Sequence, residues 1–502
     1  MLPLDQVTDV IGFRREVNGW QSFGRTIDAI SGQTDMRYSA PVWIPDNNQV
    51  LVITATSIEL HGAGGNVTDV APPSWQDSTY WYHTQLGKWI VITNSLDPVF
   101  WLDTQTIGGG GKFEELPGWP ATDRCEIIEN YKNHLLAARI TRSGIYKPNL
   151  LKWSHPVALD DTATVWDPTL PEYTAGEVAI ETPGRDIQAL GVLGDMGVVA
   201  FDQSMWVLDY TGSIRPPFNL RKTPTADGAT GPFSMTNVGG ALLVYGLRDI
   251  YLFNGHGKER SLTDNRLTEW LRDAVSLDFR PVCAFYPATN EAHILIRQAA
   301  SGCGDIILIY NTALDIWYPV SAIQGGQGGV LNRCFLGPRL DGEATTWADM
   351  QATGKTWADI QGEGARWSDL TTISGESVFY YEDCTNGRVI ALDQPGDAWF
   401  GARQSITHGR CMFDDAYDVK TISRLYPLIR GTGTVRFRFG SAYDMQSSVQ
   451  FEPWIEYEIG TDIAVDKIIS GRYFAWEMSP VLDARVDEFT GFDVEVDVTG
   501  RN

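Results

Sequence analysis

Apolar residues fall along the first 400 positions in short blocks, each followed by a tight polar turn and a second block ending in an aromatic residue or Leu. The blocks pair as Gln49–Thr54 with Ser57–Leu60, Trp89–Thr93 with Val99–Leu102, and His134–Arg139 with Leu150–Trp153. The pattern returns at Gly197–Phe201 with Ser204–Asp209, Ala241–Gly246 with Asp249–Phe253, His293–Arg297 with Asp305–Tyr310, and Val378–Glu382 with Val389–Leu392. Each pair reads as a β-hairpin. A hairpin cannot bury both faces alone, and recurrence at roughly 40–50 residues is the spacing of β-propeller blades. The expectation is therefore an all-β chain with a β-propeller of about seven blades, six to eight allowed, over residues 1–400. Unrelated hairpins in sandwiches are the competing arrangement. One helix is expected from Thr263 to Val275, capped by Thr263 or Asp264, with Leu267, Leu271 and Val275 on one face and Trp270 beside them.

Beyond residue 400 the strands lengthen and alternate more cleanly. Val419–Arg430, Gly433–Gly440, Val449–Glu458, Ala464–Ile469, Gly471–Ser479 and Gly491–Val498 fit this style. Val435, Phe437 and Phe439 point one way while Arg436 and Arg438 point the other. Antiparallel strands with one buried face make a β-sandwich, expected here over residues 401–502 with its boundary near Trp399 to His408.

Between hairpins six and seven, a phrase recurs three times at a ten-residue interval: Thr346-Trp347-Ala348-Asp349-Met350, Thr356-Trp357-Ala358-Asp359-Ile360 and Arg366-Trp367-Ser368-Asp369-Leu370. Gly354 and Gly364 hold matched places between the copies. Ten residues cannot bury a core of their own. Each copy is expected to dock its indole elsewhere, so Trp347, Trp357 and Trp367 are candidate packing or interface residues of an insertion at about 341–375.

Composition sharpens the picture in two respects. Gly 50, Trp 18, Tyr 19 and Phe 20 among 502 residues are the ingredients of strands cut by turns. A formal net charge of −24 opposes general attraction to phosphates or anionic membranes, although a local basic strip could still exist. No basic n-region and apolar h-region follow Met1, so no signal peptide is expected, and no apolar run reaches the roughly 18 residues of a membrane helix. The scattered Cys125, Cys283, Cys303, Cys334, Cys384 and Cys411 read as reduced packing residues.

Sites of chemistry are scarce. Gly354-Lys355-Thr356 ends like a phosphate loop, but Asp349 stands where that loop needs Gly. Gly108–Gly111 before Lys112 lacks the strand-to-helix context and is expected to be a flexible loop between blades. Gly354-Lys355-Thr356-Trp357 matches half of the aspartate box of sialidase-type propellers, but Ala352 replaces its defining acid. A sialidase-like or glycan-binding propeller is thus the alternative reading. His61, His83, His134, His155, His256, His293 and His408 show no zinc spacing, and His134 and His293 are expected at turns or rims. The acidic turns Asp160-Asp161 and Asp414-Asp415 lack the ligand alternation of a calcium loop. No catalytic residue, cofactor or metal is expected.

Several phrases carry a resemblance. They are Asn18-Gly19-Trp20, Trp89-Ile90-Val91-Ile92-Thr93-Asn94 before Val99-Phe100-Trp101, Leu151-Lys152-Trp153-Ser154, then Trp166 and Thr182-Pro183-Gly184-Arg185-Asp186-Ile187. They continue with Pro216-Pro217-Phe218-Asn219-Leu220 leading to Gly228-Ala229-Thr230-Gly231-Pro232, and with Gly471-Arg472-Tyr473-Phe474-Ala475-Trp476 and Gly491-Phe492-Asp493-Val494-Glu495-Val496. Their order resembles the tail hub or nozzle proteins of short-tailed bacteriophages, the family of tail tubular protein B and packaged-DNA stabilisation hubs. Asn18-Gly19-Trp20 matches that family's first blades, and Gly228–Pro232 a blade junction. The resemblance implies a non-enzymatic virion protein, assembled in the host cytoplasm as a homo-hexameric ring. Adaptor or other tail proteins and a needle or fibres would be its partners. Viral DNA would pass through the channel without sequence-specific binding, and no membrane insertion is implied.

Overall fold

All seven sequence hairpins are the middle two strands of four-stranded antiparallel sheets in the computed structural model. The structure describes residues 7–11, 13–15, 19–22, 25–44, 48–158, 161–182, 186–213, 216–263, 280–297, 304–321, 331–340, 377–383, 386–394, 405–411, 418–444, 447, 449–481 and 484–501. Blade 1 comprises Met36–Val42, Gln49–Thr54, Ile58–Gly62 and Val67–Asp69; blade 2 comprises Tyr82–Leu86, Trp89–Thr93, Phe100–Asp103 and Glu114–Glu115. Blade 3 holds Asp123–Tyr131, His134–Arg142, Ile145–Trp153 and Gly176–Ala179, and blade 4 holds Ile187–Leu193, Met196–Phe201, Met205–Tyr210 and Phe218–Lys222. Blade 5 is Met235–Asn237, Leu242–Tyr245, Ile250–Phe253 and Lys258–Ser261; blade 6 is Val282–Tyr286, Glu291–Arg297, Gly304–Asn311 and Ile316–Ser321. Blade 7 takes Leu331–Pro338, Ser377–Asp383 and Arg388–Gln394, and its fourth strand is Arg25–Ile30 from the other end of the chain. Ala391 pairs with Ile27, so the ring is closed by main-chain hydrogen bonds.

The middle strands are apolar on both faces because each is covered by a blade on either side. Trp89–Thr93 is buried throughout. Its Ile90 and Ile92 join the core shared with Leu51, Ile53 and Leu60 of blade 1, while Trp89 and Val91 join the core shared with Ile127 and Leu136 of blade 3. Alternation along one strand thus feeds two interblade cores. Each such Ile or Val contributes about 1.5–3 kcal/mol through burial.

The chain beyond residue 404 folds into two packed sheets. One contains Ser405–Cys411, Tyr473–Pro480, Thr434–Ala442, Gln450–Phe451 and Ile455–Glu458; the other contains Arg485–Arg501, Asp418–Thr432 and Val465–Gly471. Val435, Phe437 and Phe439 face the core between them, as the alternation predicts, with Phe437 5.1 Å from Phe492 at 72° and Trp476 5.3 Å from Phe489 at 76°. One expectation needs correction. The hairpin pattern places residues 1–400 in the propeller, but Val7–Ile11 pairs with Ser405–Cys411, and Phe13–Arg15 and Trp20–Ser22 extend the second sheet beside Arg485–Arg501. Gly19-Trp20 therefore lies in the sandwich and not in a first blade. Gly19 is required there, since a Cβ would stand 2.5 Å from the Phe489 carbonyl oxygen.

The two units share one core. Phe13, Trp20 and Ile406 pack with Tyr318 of blade 6 and Phe379 of blade 7. At the junction, Arg14 Nε donates to both carboxylate oxygens of Glu291 at 2.9 and 3.0 Å. Glu291 also accepts from Thr289 Oγ1 at 2.7 Å and from the Tyr318 hydroxyl, and His293 Nε2 lies 3.4 Å away. Full burial of this acid makes those partners necessary. The expected helix at Thr263–Val275, apart from Thr263 itself, and the Trp repeat lie outside the described residues.

Candidate functional site

The first strands of neighbouring blades pack against one another around the propeller axis, and several of them carry polar side chains that are buried there. Tyr82-His83-Thr84-Gln85 of blade 2 alternates between two neighbours. His83 Nδ1 is 2.9 Å from the Tyr38 hydroxyl of blade 1, and Gln85 Oε1 accepts from Trp43 N at 3.0 Å. On the other face, Tyr82 and Thr84 donate to Glu129 of blade 3 at 3.1 and 3.2 Å.

Phe233 is driven to the axis by the turn between blades 4 and 5. Ser234 N donates to Gly231 O at 3.1 Å, Ser234 Oγ accepts from Gly231 N at 3.1 Å, and Phe233 O accepts from Cys283 N at 2.7 Å. The Gly228–Pro232 run leads into this turn because Gly228 passes against Phe201, where a Cβ would lie 1.7 Å from the carbonyl oxygen. The Phe233 ring stacks on Tyr82 at 5.0 Å and 12°, and lies 6.1 Å from Tyr38.

Into this aromatic cluster blade 7 projects Arg333. Its guanidinium carbon is 3.9 Å from the Tyr38 ring centre and 4.0 Å from that of Phe233. Arg333 is only 8% exposed, yet its Nε and Nη1 have no hydrogen-bond partner. Glu382, opposite it on the paired strand, accepts from Ser39 Oγ at 2.5 Å instead. Burial raises the Glu382 carboxyl above its ordinary range, against the lowering influence of Arg333 and Ser39. Such stacking is cation–π attraction, and the Arg333 charge and a hydrogen bond with Arg333 oppose the rise that burial gives the Tyr38 phenol.

An open pocket of about 350 Å3 lies here, lined by Tyr82, His83, Thr84, Gln85, Glu129, Asn130, Phe233 and Arg333. Burial pushes the Glu129 carboxyl up to about 7, against the hydrogen bonds from Asn130 N, Tyr82 and Thr84. Burial and the Arg333 charge pull His83 down to about 3, so its imidazole is neutral near pH 7. Asn130 uses its amide nitrogen on Gln85 O at 3.3 Å and leaves Oδ1 without a donor. The pocket thus combines a cation, a titratable acid and two unmet hydrogen-bonding groups.

None of these residues was singled out as functional in the sequence, where Arg333, Phe233 and Glu129 stand about a hundred positions apart. The candidates Trp347, Trp357 and Trp367 lie outside the described residues. His134 directly follows the Lys132-Asn133 turn, but neither it nor His293 is an exposed rim residue: both are fully buried, with His134 Nδ1 2.7 Å from Ser154 O and His293 Nδ1 2.5 Å from the Tyr381 hydroxyl. His134 starts its strand and His293 is the third residue of Glu291–Arg297, and both strands are second in their blades and covered on both sides. Gly108–Gly111 lies inside blade 2, between its third and fourth strands, where Thr104–Gly109 forms a 3-10 turn capped by Asp103. Cys125, Cys283 and Cys334 are free and buried. Among the described residues no group of three or more His, Cys, Asp or Glu side chains is placed to hold a metal ion, and no helix is long and apolar enough to cross a membrane.

No protein-family model and no curated protein sequence matches the chain. Among solved structures it is similar to Citrobacter koseri AztD, at 12% identity over 61% of this chain and 87% of that one, with a TM-score of 0.32. It is also similar to the β-propeller domain of Myceliophteria thermophila Cps50 (Swd1), at 8% identity over 75% of this chain and all of that one, with a TM-score of 0.40.

Proposed function

We propose that the chain is a non-enzymatic building block of a bacteriophage tail, a hub or nozzle subunit that assembles into a ring of six and continues the DNA channel. The observation that supports it most is a sandwich edge with which no further described strand pairs. Val465–Gly471 ends the five-stranded sheet with Ile468 73% exposed, Ile463 just before it is 81% exposed, and Val498 on the same sheet is 65% exposed. An edge strand displaying apolar side chains invites pairing with another chain. Heterologous contacts of that kind close a ring when the rotation between copies suits. The sequence resemblance supplies the tail context, and the indoles of Trp347, Trp357 and Trp367 are further proposed contact residues.

The test is the mass of the purified protein in solution together with electron microscopy of the particles. The expected result is a ring of six times 55.7 kDa that associates with other tail proteins and not tightly with duplex DNA. A monomer that cleaves or binds glycans would overturn the reading in favour of a sialidase-like or lectin-like propeller.

A further inference from the structure

The axial pocket has two ends of opposite character. Blade 7 presents Arg333, with Nε and Nη1 unpartnered; blade 3 presents the Glu129 carboxyl and the unpartnered Oδ1 of Asn130. Buried donors and acceptors without a partner are the groups that gain most from a ligand able to meet them. A simple anion would satisfy Arg333 but confront Glu129. A simple cation would satisfy Glu129 but confront Arg333. A ligand carrying both charges meets both ends at once.

We propose that this pocket binds a free amino acid, with its carboxylate on the Arg333 guanidinium and its ammonium group between the Glu129 carboxylate and Asn130 Oδ1. The volume of about 350 Å3 lies at the small end of the roughly 300–1,000 Å3 typical of ligand sites, which suits a molecule of this size. The stacked Phe233 and Tyr82 rings give its side chain an apolar surface. Arg333 is held by its faces, which leaves its Nε–Nη1 edge without a partner, and a guanidinium edge is suited to carboxylate recognition. The unpartnered atoms are shielded from bulk water, so binding includes a side-chain rotation at Arg333 and Asn130 that brings them onto the ligand.

This site carries a pH signature. The ionisable groups near Glu129 are Tyr82 and His83 on the facing strand of blade 2 and Arg333 across the pocket; its paired strand places Leu136 opposite it, and the adjoining first strand of blade 4 has no ionisable residue. His83 and Tyr82 are uncharged near neutrality. An ammonium group selects ionised Glu129, so binding expels its proton and affinity rises as pH climbs through about 7. A bare carboxylate ligand would show the opposite slope.

The experiment is thermal-shift and calorimetric titration of the full chain with individual L-amino acids, each compared with its carboxylate lacking the amine and its amine lacking the carboxylate. At least one amino acid is expected to bind, with both truncated analogues about tenfold or more weaker. Glu129→Gln should weaken binding about tenfold or more and abolish the pH slope, and Arg333→Lys should weaken it comparably while keeping the charge. Circular dichroism checks that both variants fold, and the wild-type analogue comparison stands even if one does not. Failure of every amino acid to bind, equal binding of a truncated analogue, or unchanged binding by folded E129Q would each overturn the proposal. None of these outcomes bears on the tail reading, which turns on assembly.

Discussion

Glu291 shows what one buried carboxylate does for the joint between the two units. Burial alone would raise its pKa, but the charge of Arg14 and the bond from His293 overcome this and hold it at about 2. Its ordinary value is 4.5. Because the folded value is the lower one, the stabilisation is complete above about pH 4.5 and disappears as pH falls toward about 2. Glu291→Gln removes the charge that Arg14 Nε is paired with, and should lower stability by about 3–5 kcal/mol near neutrality. Urea unfolding of wild type and variant near pH 7 and again near pH 3 checks both parts: the gap between them should be wide in the first and narrower in the second. Equal midpoints near neutrality would mean that the apolar contacts of Phe13 and Trp20 alone hold the joint.

Ring closure rests on elements that meet from opposite ends of the chain. Beside the Arg25–Ile30 strand, Gln33 N donates to Gly387 O at 2.9 Å, which docks the blade 7 hairpin turn on the N-terminal segment. Gly387 has φ +58°, and a Cβ there would stand 1.4 Å from Gln33 O; Gly32 has φ +77° with open space around it. Gly32→Ala should therefore cost only the left-handed strain, about 1 kcal/mol. Gly387→Ala adds a clash with main chain and should cost distinctly more, seen as a lower melting temperature than Gly32→Ala gives. Equal losses would show that the turn can move away without opening the blade. These same elements explain what could be read in advance. The middle hairpins were legible because two flanking blades make them apolar on both faces, as in Trp89–Thr93. The outermost strands were not, since Glu114–Glu115 and Lys258–Ser261 face water and carry no apolar signal. Val7–Ile11 and Trp20–Ser22 are short, and their partners lie at the far end of the chain, so local pattern could not assign them to the sandwich. The pocket was hidden for the same reason: Tyr38, Glu129, Phe233 and Arg333 converge only once the blades have closed around the axis.

At the scale of the whole molecule, charge sets a condition on the proposed ring. A formal −24 per chain, multiplied by six copies, gives −144. Such an assembly repels itself, and its contacts must come from apolar and main-chain surface such as the edge that carries Ile468. Repulsion of this kind reaches about 30 Å at an ionic strength near 0.01 M but only about 8 Å near 0.15 M. The ring should therefore be more stable at the higher salt, opposite to an assembly held by exposed ion pairs. An acidic passage would also keep DNA phosphates from sticking, so duplex binding should stay weak even in dilute buffer. Sedimentation velocity across that salt range, with labelled duplex present in a parallel series, measures both. Ring dissociation on adding salt, or tight DNA binding that salt abolishes, would place basic surface where the reading requires acidic, and would remove the physical basis for a sliding channel. Ile468→Asp provides the local control: on that edge strand, the added charge should weaken assembly with little effect on the melting temperature of the subunit, because that side chain is 73% exposed.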